Sequence, residues 1–454
     1  MRLMVARGRL AGAIALSGLT LGWADQAPHD RPSPDCRAVV DRETELRTPS
    51  GAFVYSEGES AARDGNEVAI AGAIGWVDSG PTRPLHSLIG VVYDVSSKRV
   101  LPIPAPLPDR ALYDVHIAAA GHGAWNIVFA TRLDTLTVGR GIPEPIADGD
   151  SALLWYARFD SSGLHNVAPI TAVHSVSLNA RMMQDFVSAE GDMYLAYGFN
   201  RVGVTHSIAV GNQGIVLLHG HPGAWAHDSL FANFVLSTQG IGLSLRPGTR
   251  ILDVLVDYGY LDDWPRSYHY HAPVVFLFTF ATGVWSPGVQ VGDTAGRGVS
   301  QALLARLPAS GNLVVSWVNA ASDSADRLGQ RASTMDPLFS GDLRSQVVRL
   351  AGGAVVQYPS VRVFGDALHY RVAALGDSTI LWYVHQFTDP ETHFAMLRHG
   401  AVIDLGTVVL RSGIFWQSVV GLSDSSFQVV SADTLSTSLG GTIVTDMHVS
   451  CQPQ

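Results

Sequence analysis

Short runs of Val, Leu, Ile, Phe, Trp and Tyr recur along the whole chain, often alternating with small or polar residues. Each run is closed by Gly, Asp, Asn or Ser. A period of two is the mark of a strand lying on a sheet, and the closing residues are turn formers. EVAIAGAIGWV, GAWNIVFATRL, DMYLAYGF, NLVVSWVN, DALHYRVAA and SSFQVVSA are examples. No stretch keeps the i, i+3, i+4 spacing of an amphipathic helix, so the pattern predicts an all-β chain.

A loose repeat underlies these runs: a short strand, a turn holding Gly, Asp or Ser, and a longer strand that often carries an aromatic residue. Copies fall at 113–132, 183–200, 300–319, 358–374 and 416–432, with a weaker one at 231–248 and an opening one at 52–77. Two further strand candidates follow each pair, as in ALLWYARF then HNVAPIT. Four strands per unit, repeated at roughly 50–70 residues, predict a β-propeller, in which each blade buries its faces against its neighbours and ring closure removes exposed edges. Seven four-stranded blades are expected, with six as the alternative, because the first and fourth units are poorly formed.

The two ends agree with this. Residues 1–24 read as a signal peptide: Arg2, Arg7 and Arg9, an apolar core from Leu10 to Trp23, and small residues Gly22 and Ala24 before the cut. The core is too short to span a bilayer. A periplasmic or secreted protein without membrane insertion is expected, with a Pro-rich lead-in at 25–50 and one propeller domain at 51–454. The two cysteines, Cys36 and Cys451, lie just inside the mature ends. In an oxidising compartment they are expected to pair, and closure of the ring would bring them together. Removing three arginines with the signal takes the net charge from −10 to about −13, which argues against nucleic-acid binding. Lys98 is the only lysine, so nearly every positive charge is an arginine fork suited to carboxylates or sulfates. A monomer is expected.

The stretch SQALLARLPASGNLVVSW (300–317) resembles a blade core of the sialidase (BNR) propeller superfamily. There a Ser-x-Pro-x-Leu-x-x-x-Pro-x-Gly run precedes a hydrophobic strand ending in an aromatic. Ala302 stands where proline is usual, and PASG carries one extra residue before the glycine. The superfamily's Asp-box is absent; RFDSSGLHN (158–166) and LGDSTILW (375–382) are at best degenerate forms. Its arginine triad and Tyr/Glu pair map to no particular residues here. The resemblance implies the fold and a carbohydrate ligand, not sialidase activity.

Candidate chemistry concentrates in two stretches, HGHPGAWAHD (219–228) and DDWPRSYHYHAP (262–273). The repeat register makes the first a connection between the third and fourth blades and the second a connection inside the fourth, both on the face where propeller ligands collect. His221, His227, Asp228, Tyr268, His269 and His271, with Arg297 at the start of the next blade, are then candidate catalytic residues. A histidine or tyrosine base beside arginines that neutralise a carboxylate is what a polysaccharide lyase needs. A glycoside hydrolase would instead need two carboxylates about 5–10 Å apart; Asp262, Asp263 and Glu144 are available. Trp225, Trp264, Tyr270, Trp416, Arg181 and Arg411 are candidate substrate contacts, while Arg110, Arg140, Arg201 and Arg327 fall in other connections of this type. A metal reading takes His219, His221 and His227 as ligands of a divalent ion; otherwise no cofactor is expected. A structural reading makes Gly220, Pro222 and Gly223 a turn with Trp225 packed over the blade edge. The strand aromatics Trp155, Tyr156, Trp317, Trp382 and Tyr383 read as packing between blades. The function expected is binding or processing of an extracellular glycan, with a non-catalytic interaction scaffold as the alternative.

Overall fold

The structure, a computed structural model, describes residues 35–46, 53–55, 61–75, 87–94, 99–104, 112–132, 151–174, 183–189, 191–199, 214–231, 241–262, 269–292, 299–320, 341–351, 353–386, 391–410, 417–432 and 442–452. The expected signal peptide and much of the expected lead-in lie outside these residues. No helix among the described residues is long and apolar enough to cross a membrane.

The fold is an all-β propeller built of antiparallel meanders. The first sheet takes Phe53–Tyr55 and Ala61–Asp64 at its inner edge, then Glu67–Gly75, Ser87–Asp94 and Arg99–Pro104. The second runs through Leu112–Ala119, Ala124–Arg132, Ser151–Asp160 and Gly163–His174. The third uses Met183–Ala189, Asp192–Phe199, Gly214–His221 and Ala224–Phe231. The fourth has Ile241–Leu245, Leu252–Asp262 and His269–Ala281, with its outer edge split into Val284–Trp285 and Val289–Val291.

Next comes an eight-stranded sheet made of two meanders. The leading one is Val299–Arg306, Leu313–Ala320, Gly341–Ala351 and Ala354–Gln357; the trailing one is Val361–Leu375, Thr379–Gln386, Thr392–Arg398 and Ala401–Val408. The closing sheet orders Gln417–Gly421, Ser426–Ala432 and Thr442–Cys451 outward, and the N-terminal strand Cys36–Leu46 forms its outer edge. Six hydrogen-bonded sheets therefore stand where seven separate ones were the first expectation, and six was the alternative. The two meanders that the repeat separates at 358 share one sheet, because the long strand Val361–Leu375 pairs with Gly341–Ala351 before turning inward to pair with Thr379–Gln386.

Alternate residues of one strand serve two cores. Met193, Leu195 and Tyr197 pack with Val128, Leu154 and Tyr156 of the second sheet, while Tyr194 and Ala196 pack with Leu243, Leu252, Val254 and Phe280 of the fourth. Strands between two neighbours are thus apolar almost throughout, and each large buried side chain contributes about 1.5–3 kcal/mol. Trp317 and Trp382 are fully buried and Tyr156 and Tyr383 nearly so: Tyr156, Trp317 and Tyr383 pack between sheets, and Trp382 between the two meanders of the eight-stranded sheet, while Trp155, partly buried, stacks on Phe129.

Connection length differs sharply between the two ends of the strands. Turns from first to second strand and from third to fourth share one end, and most are tight: 65–66, 161–162, 190–191, 222–223, 282–283, 352–353 and 399–400. Links from second to third strand, and from one unit to the next, share the other end and include 76–86, 133–150, 200–213, 321–340 and 433–441.

The short-turn end is also stitched into a closed circuit of polar bonds. The Gly123 N–H donates to Asp64 (2.6 Å), joining the first and second sheets. Ser188 Oγ donates to the Ala119 carbonyl (2.8 Å), joining second and third. Arg250 Nε meets Asp192 (2.6 Å) between third and fourth. Arg306 donates to Ser244 Oγ (2.9 Å) and Asp253 (2.5 Å) from the leading meander to the fourth sheet. The Ala309 N–H donates to the Asp377 carbonyl (3.1 Å), and the Asp377 N–H to Asp424 (3.2 Å). Arg63 closes the circuit, donating to the carbonyls of Gly421 (3.2 Å) and Leu422.

One turn in this end is unfavourable. The hairpin at 281–284 turns through Thr282 (φ 51°) and Gly283 (φ 79°), and a β-branched residue in the left-handed region is strained, whereas Asn-Gly suits it. Thr282→Asn is expected to raise stability by about 0.5–1 kcal/mol, seen as a higher denaturation midpoint. An unchanged or lowered midpoint would mean that the turn carries no such strain.

Candidate functional site

HGHPGAWAHD folds as one hairpin inside the third sheet. Gly214–His221 and Ala224–Phe231 pair residue for residue from Gly214↔Phe231 to His221↔Ala224. Pro222 presets the backbone for the turn, and Gly223 takes the left-handed position at φ 85° that a Pro-Gly turn needs. A side chain at Gly220 would collide with the Ala224 carbonyl. The expectation that this stretch links the third and fourth blades is therefore corrected. It closes the third and fourth strands of a single sheet, at the short-turn end.

The register also divides its side chains between two faces. His219, His221 and Asp228 share one face, while Trp225 and His227 lie on the other with Leu218. His219 donates through Nε2 to Asp228 Oδ2, its diagonal neighbour, at 2.8 Å. The ring sits against Tyr194 (6.2 Å, stacked) and Phe280 of the fourth sheet (5.1 Å, edge-on). Trp225 packs against Tyr156 of the second sheet (6.3 Å), as the structural reading expected. His221 is exposed, with Nδ1 3.3 Å from the Pro222 carbonyl. A metal set of His219, His221 and His227 is corrected as well: His227 projects from the opposite face of the sheet. No group of three or more metal-binding side chains is found among the described residues.

The second stretch lies at the other end. His269, Tyr270 and His271 open the strand His269–Ala281 and pair with Asp262, Leu261 and Tyr260. Phe280, which touches His219, is eleven residues further along, roughly 35 Å at the rise of a strand. The Arg250–Asp192 pair, which joins the short turns of the third and fourth sheets, shows that the two sheets run in the same sense. His221, His227 and Asp228 therefore cannot meet His269 and His271. Convergence failed because the two-residue Pro-Gly turn hid the start of a fourth strand, so the hairpin at 219–228 alone was assigned to the end of the sheet where His269 and His271 lie.

The remaining candidates fall in the longer links. Tyr268 and Trp264 lie in 263–268, Arg297 in 293–298, Arg181 in 175–182, and Arg411 and Trp416 in 411–416; all are outside the described residues. So are Arg110, Arg140, Glu144, Arg201, Asp263 and Arg327. The strands flanking each link bring both its ends to the long-link end of the ring.

Among the described residues, two arrangements look catalytic in outline. His219–Asp228 is a carboxylate-oriented imidazole, the base half of a nucleophile–base pair. Among the described residues it meets no hydroxyl or thiol partner, and its ring contacts are Tyr194 and Phe280. Ser162, His165 and Asp160 form the second, on the hairpin turn 160–163. Ser162 donates to Asp160 through its N–H (2.8 Å) and Oγ (2.6 Å), bonds that hold the carboxyl down at about 2. One nitrogen, His165 Nε2, faces both Ser162 (3.0 Å) and Asp160 (3.1 Å). A triad needs the carboxylate on the far nitrogen, so this is an exposed turn motif; sequence reasoning noted its stretch, 158–166, only as a degenerate Asp-box. Burial pushes Tyr197 up to about 12 and raises Tyr156 and Tyr194, which removes these three as bases near neutrality.

No family model and no curated protein matches the sequence. Solved structures do match over nearly the whole chain. A polysaccharide lyase superposes with a TM-score of 0.53 at 9% identity, covering 90% of this chain and 99% of the other. A protein of unknown function from Dyadobacter fermentans gives 0.49 at 10% identity, covering 92% and 100%. The WD40 domain of Toxoplasma gondii coronin gives 0.42 at 8% identity, covering 93% and 90%. At these identities the likeness shows the propeller fold and nothing finer; a sialidase (BNR) affiliation is not shown.

Proposed function

We propose that the protein is exported and that it binds or processes an extracellular glycan through the long-link end of the ring. The observation that carries this reading is the division of labour between the two ends. One is tight-turned and stitched by a continuous polar circuit. The other receives the ends of the long links, whose sequences contain Arg181, Arg201, Arg297, Arg327, Arg411, Trp264, Tyr268 and Trp416. Loops on a rigid scaffold are where binding and catalysis concentrate, and arginine forks with aromatic rings suit a carboxylated or sulfated sugar. The terminal disulfide is compatible with export after residue 24.

Wild-type protein should bind at least one polysaccharide in a panel of uronate-bearing, sulfated and neutral polymers, read by calorimetry, with product release followed in the same samples. Binding with turnover supports processing; binding alone supports a non-catalytic carbohydrate module. Failure of every polymer to bind would overturn the glycan reading in favour of a protein-interaction scaffold.

A further inference from the structure

We propose that Arg344 and Arg362 form a subsite for the anionic substituent of a sugar, at the long-link mouth of the joint between the fourth sheet and the leading meander. This rests on the glycan reading above and narrows it to carboxylated or sulfated polymers. The two arginines are direct register partners on Gly341–Ala351 and Val361–Leu375, so their side chains leave the same face of the sheet. Like charges directly opposite each other destabilise a strand pair. Only one of them is neutralised: Arg362 meets Asp342 Oδ1 through Nε (3.0 Å) and Nη2 (2.9 Å). Among the described residues Arg344 meets no carboxylate, and its one bond runs from Nη2 to Ser360 Oγ (3.2 Å). Its Nε is buried without an acceptor. The inward-facing Arg246 and Arg306, by contrast, converge on the Asp253 carboxylate.

The face that carries them is turned to the fourth sheet. Trp317 lies directly across from Arg344 and packs with Val275, Leu277 and Val291 of that sheet. Two residues along the strand from Arg344, Gln346 accepts from the Gly292 N–H (2.8 Å) and donates to the Tyr358 carbonyl (2.6 Å). At the outer rim Gln357 Nε2 donates to the Gln290 carbonyl (2.8 Å). These bonds close the joint on the short-turn side of the arginines. Arg344 stands about 7 Å nearer the long-link end, at the rise of a strand, close to where Gly341–Ala351 receives its link from 321–340. Arg362 is still 61% exposed, so a ligand can reach it. Backbone holds it in place from behind, since a side chain at Gly365 would collide with its guanidinium. A carboxylate or sulfate seated here would take charge-assisted bonds from both forks and offset their repulsion. A pairing rule broken without compensation inside the protein marks a functional position.

Calorimetric titration of the folded full chain with polygalacturonate, dextran sulfate and neutral dextran tests this. Wild type should bind polygalacturonate or dextran sulfate more tightly than dextran, and which of the two it binds identifies carboxylate or sulfate as the group recognised. Arg344→Gln should weaken that binding at least about tenfold, as for loss of a charge-assisted bond. Asp342→Asn removes the competing carboxylate and should strengthen it about threefold, a gain that impaired folding cannot mimic. Anionic-polymer binding unchanged in Arg344→Gln, or weakened there without the gain in Asp342→Asn, would overturn the subsite and leave the glycan reading intact. Binding of dextran alone would do the same. Failure of all three polymers to bind would also overturn the subsite; the glycan reading falls only if the wider panel fails as well.

Discussion

Replacing Asp253 with alanine is expected to lower stability by about 3–5 kcal/mol, the cost typical of breaking a buried ion pair from one side. Asp253 is fully buried at the start of the second strand of the fourth sheet. Its carboxylate takes a two-pronged contact from Arg246 (2.7 and 3.0 Å), a bond from Arg306 across the joint (2.5 Å) and one from Thr279 Oγ1 (3.1 Å). The Arg246 guanidinium is in turn held above its ordinary value, chiefly by its bond to Asp253. Removing the carboxylate leaves two inward-facing arginines facing each other without their shared anion. Because Arg306 belongs to the next sheet, the damage falls on a joint and not only within one sheet. Asp253→Asn should recover part of the loss, since it preserves shape and acceptor capacity on one oxygen. Denaturant titration measures both. A loss below about 1 kcal/mol for the alanine variant, as expected of an exposed aspartate, would show that the arginines find other partners.

The second large effect concerns the disulfide. Replacing both Cys36 and Cys451 with serine is expected to cost about 2–5 kcal/mol, through the freedom regained by the unfolded chain when a closure of 415 residues is lost. The native ring stays shut while the unfolded ensemble becomes easier to reach. Lowered equilibrium stability with native-like hydrogen exchange across the closing sheet is therefore the expected combination. Unchanged stability would mean that the ladder from Cys36 to Leu46 carries closure without help from the covalent bond.

Much of the architecture was legible because propeller strands satisfy two independent patterns at once. Runs such as DMYLAYGF and NLVVSWVN are buried on both faces, so their apolar content is high and their turns are abrupt. Cys36 and Cys451 told of ring closure from opposite ends of the sequence. Strand order within the outer edges was not legible. Ala224–Phe231 reads AWAHDSLF and is largely exposed, so it lacks the apolar run that marks an inner strand. Pro222 and Gly223 resemble an ordinary loop until the pairing of His221 with Ala224 is known. The same weakness hid the joining of the two meanders, since Val361–Leu375 is one uninterrupted strand that serves both halves of its sheet. The candidate site suffered most, because assignment to one end of the ring or the other turns on a single strand boundary.

The division between a stitched scaffold end and a functional long-link end is the central claim, and paired variants separate the two. Arg181→Ala, Arg297→Ala and Arg411→Ala would be combined in one protein, and His221→Ala with His227→Ala in another. Both would be titrated with a polysaccharide that the wild type binds. The account predicts at least about a tenfold weakening for the arginine variant, as for loss of a charge-assisted contact, and wild-type affinity for the histidine variant. Wild-type affinity in the arginine variant, with binding lost in the histidine variant, would contradict it and return function to the hairpin at 219–228.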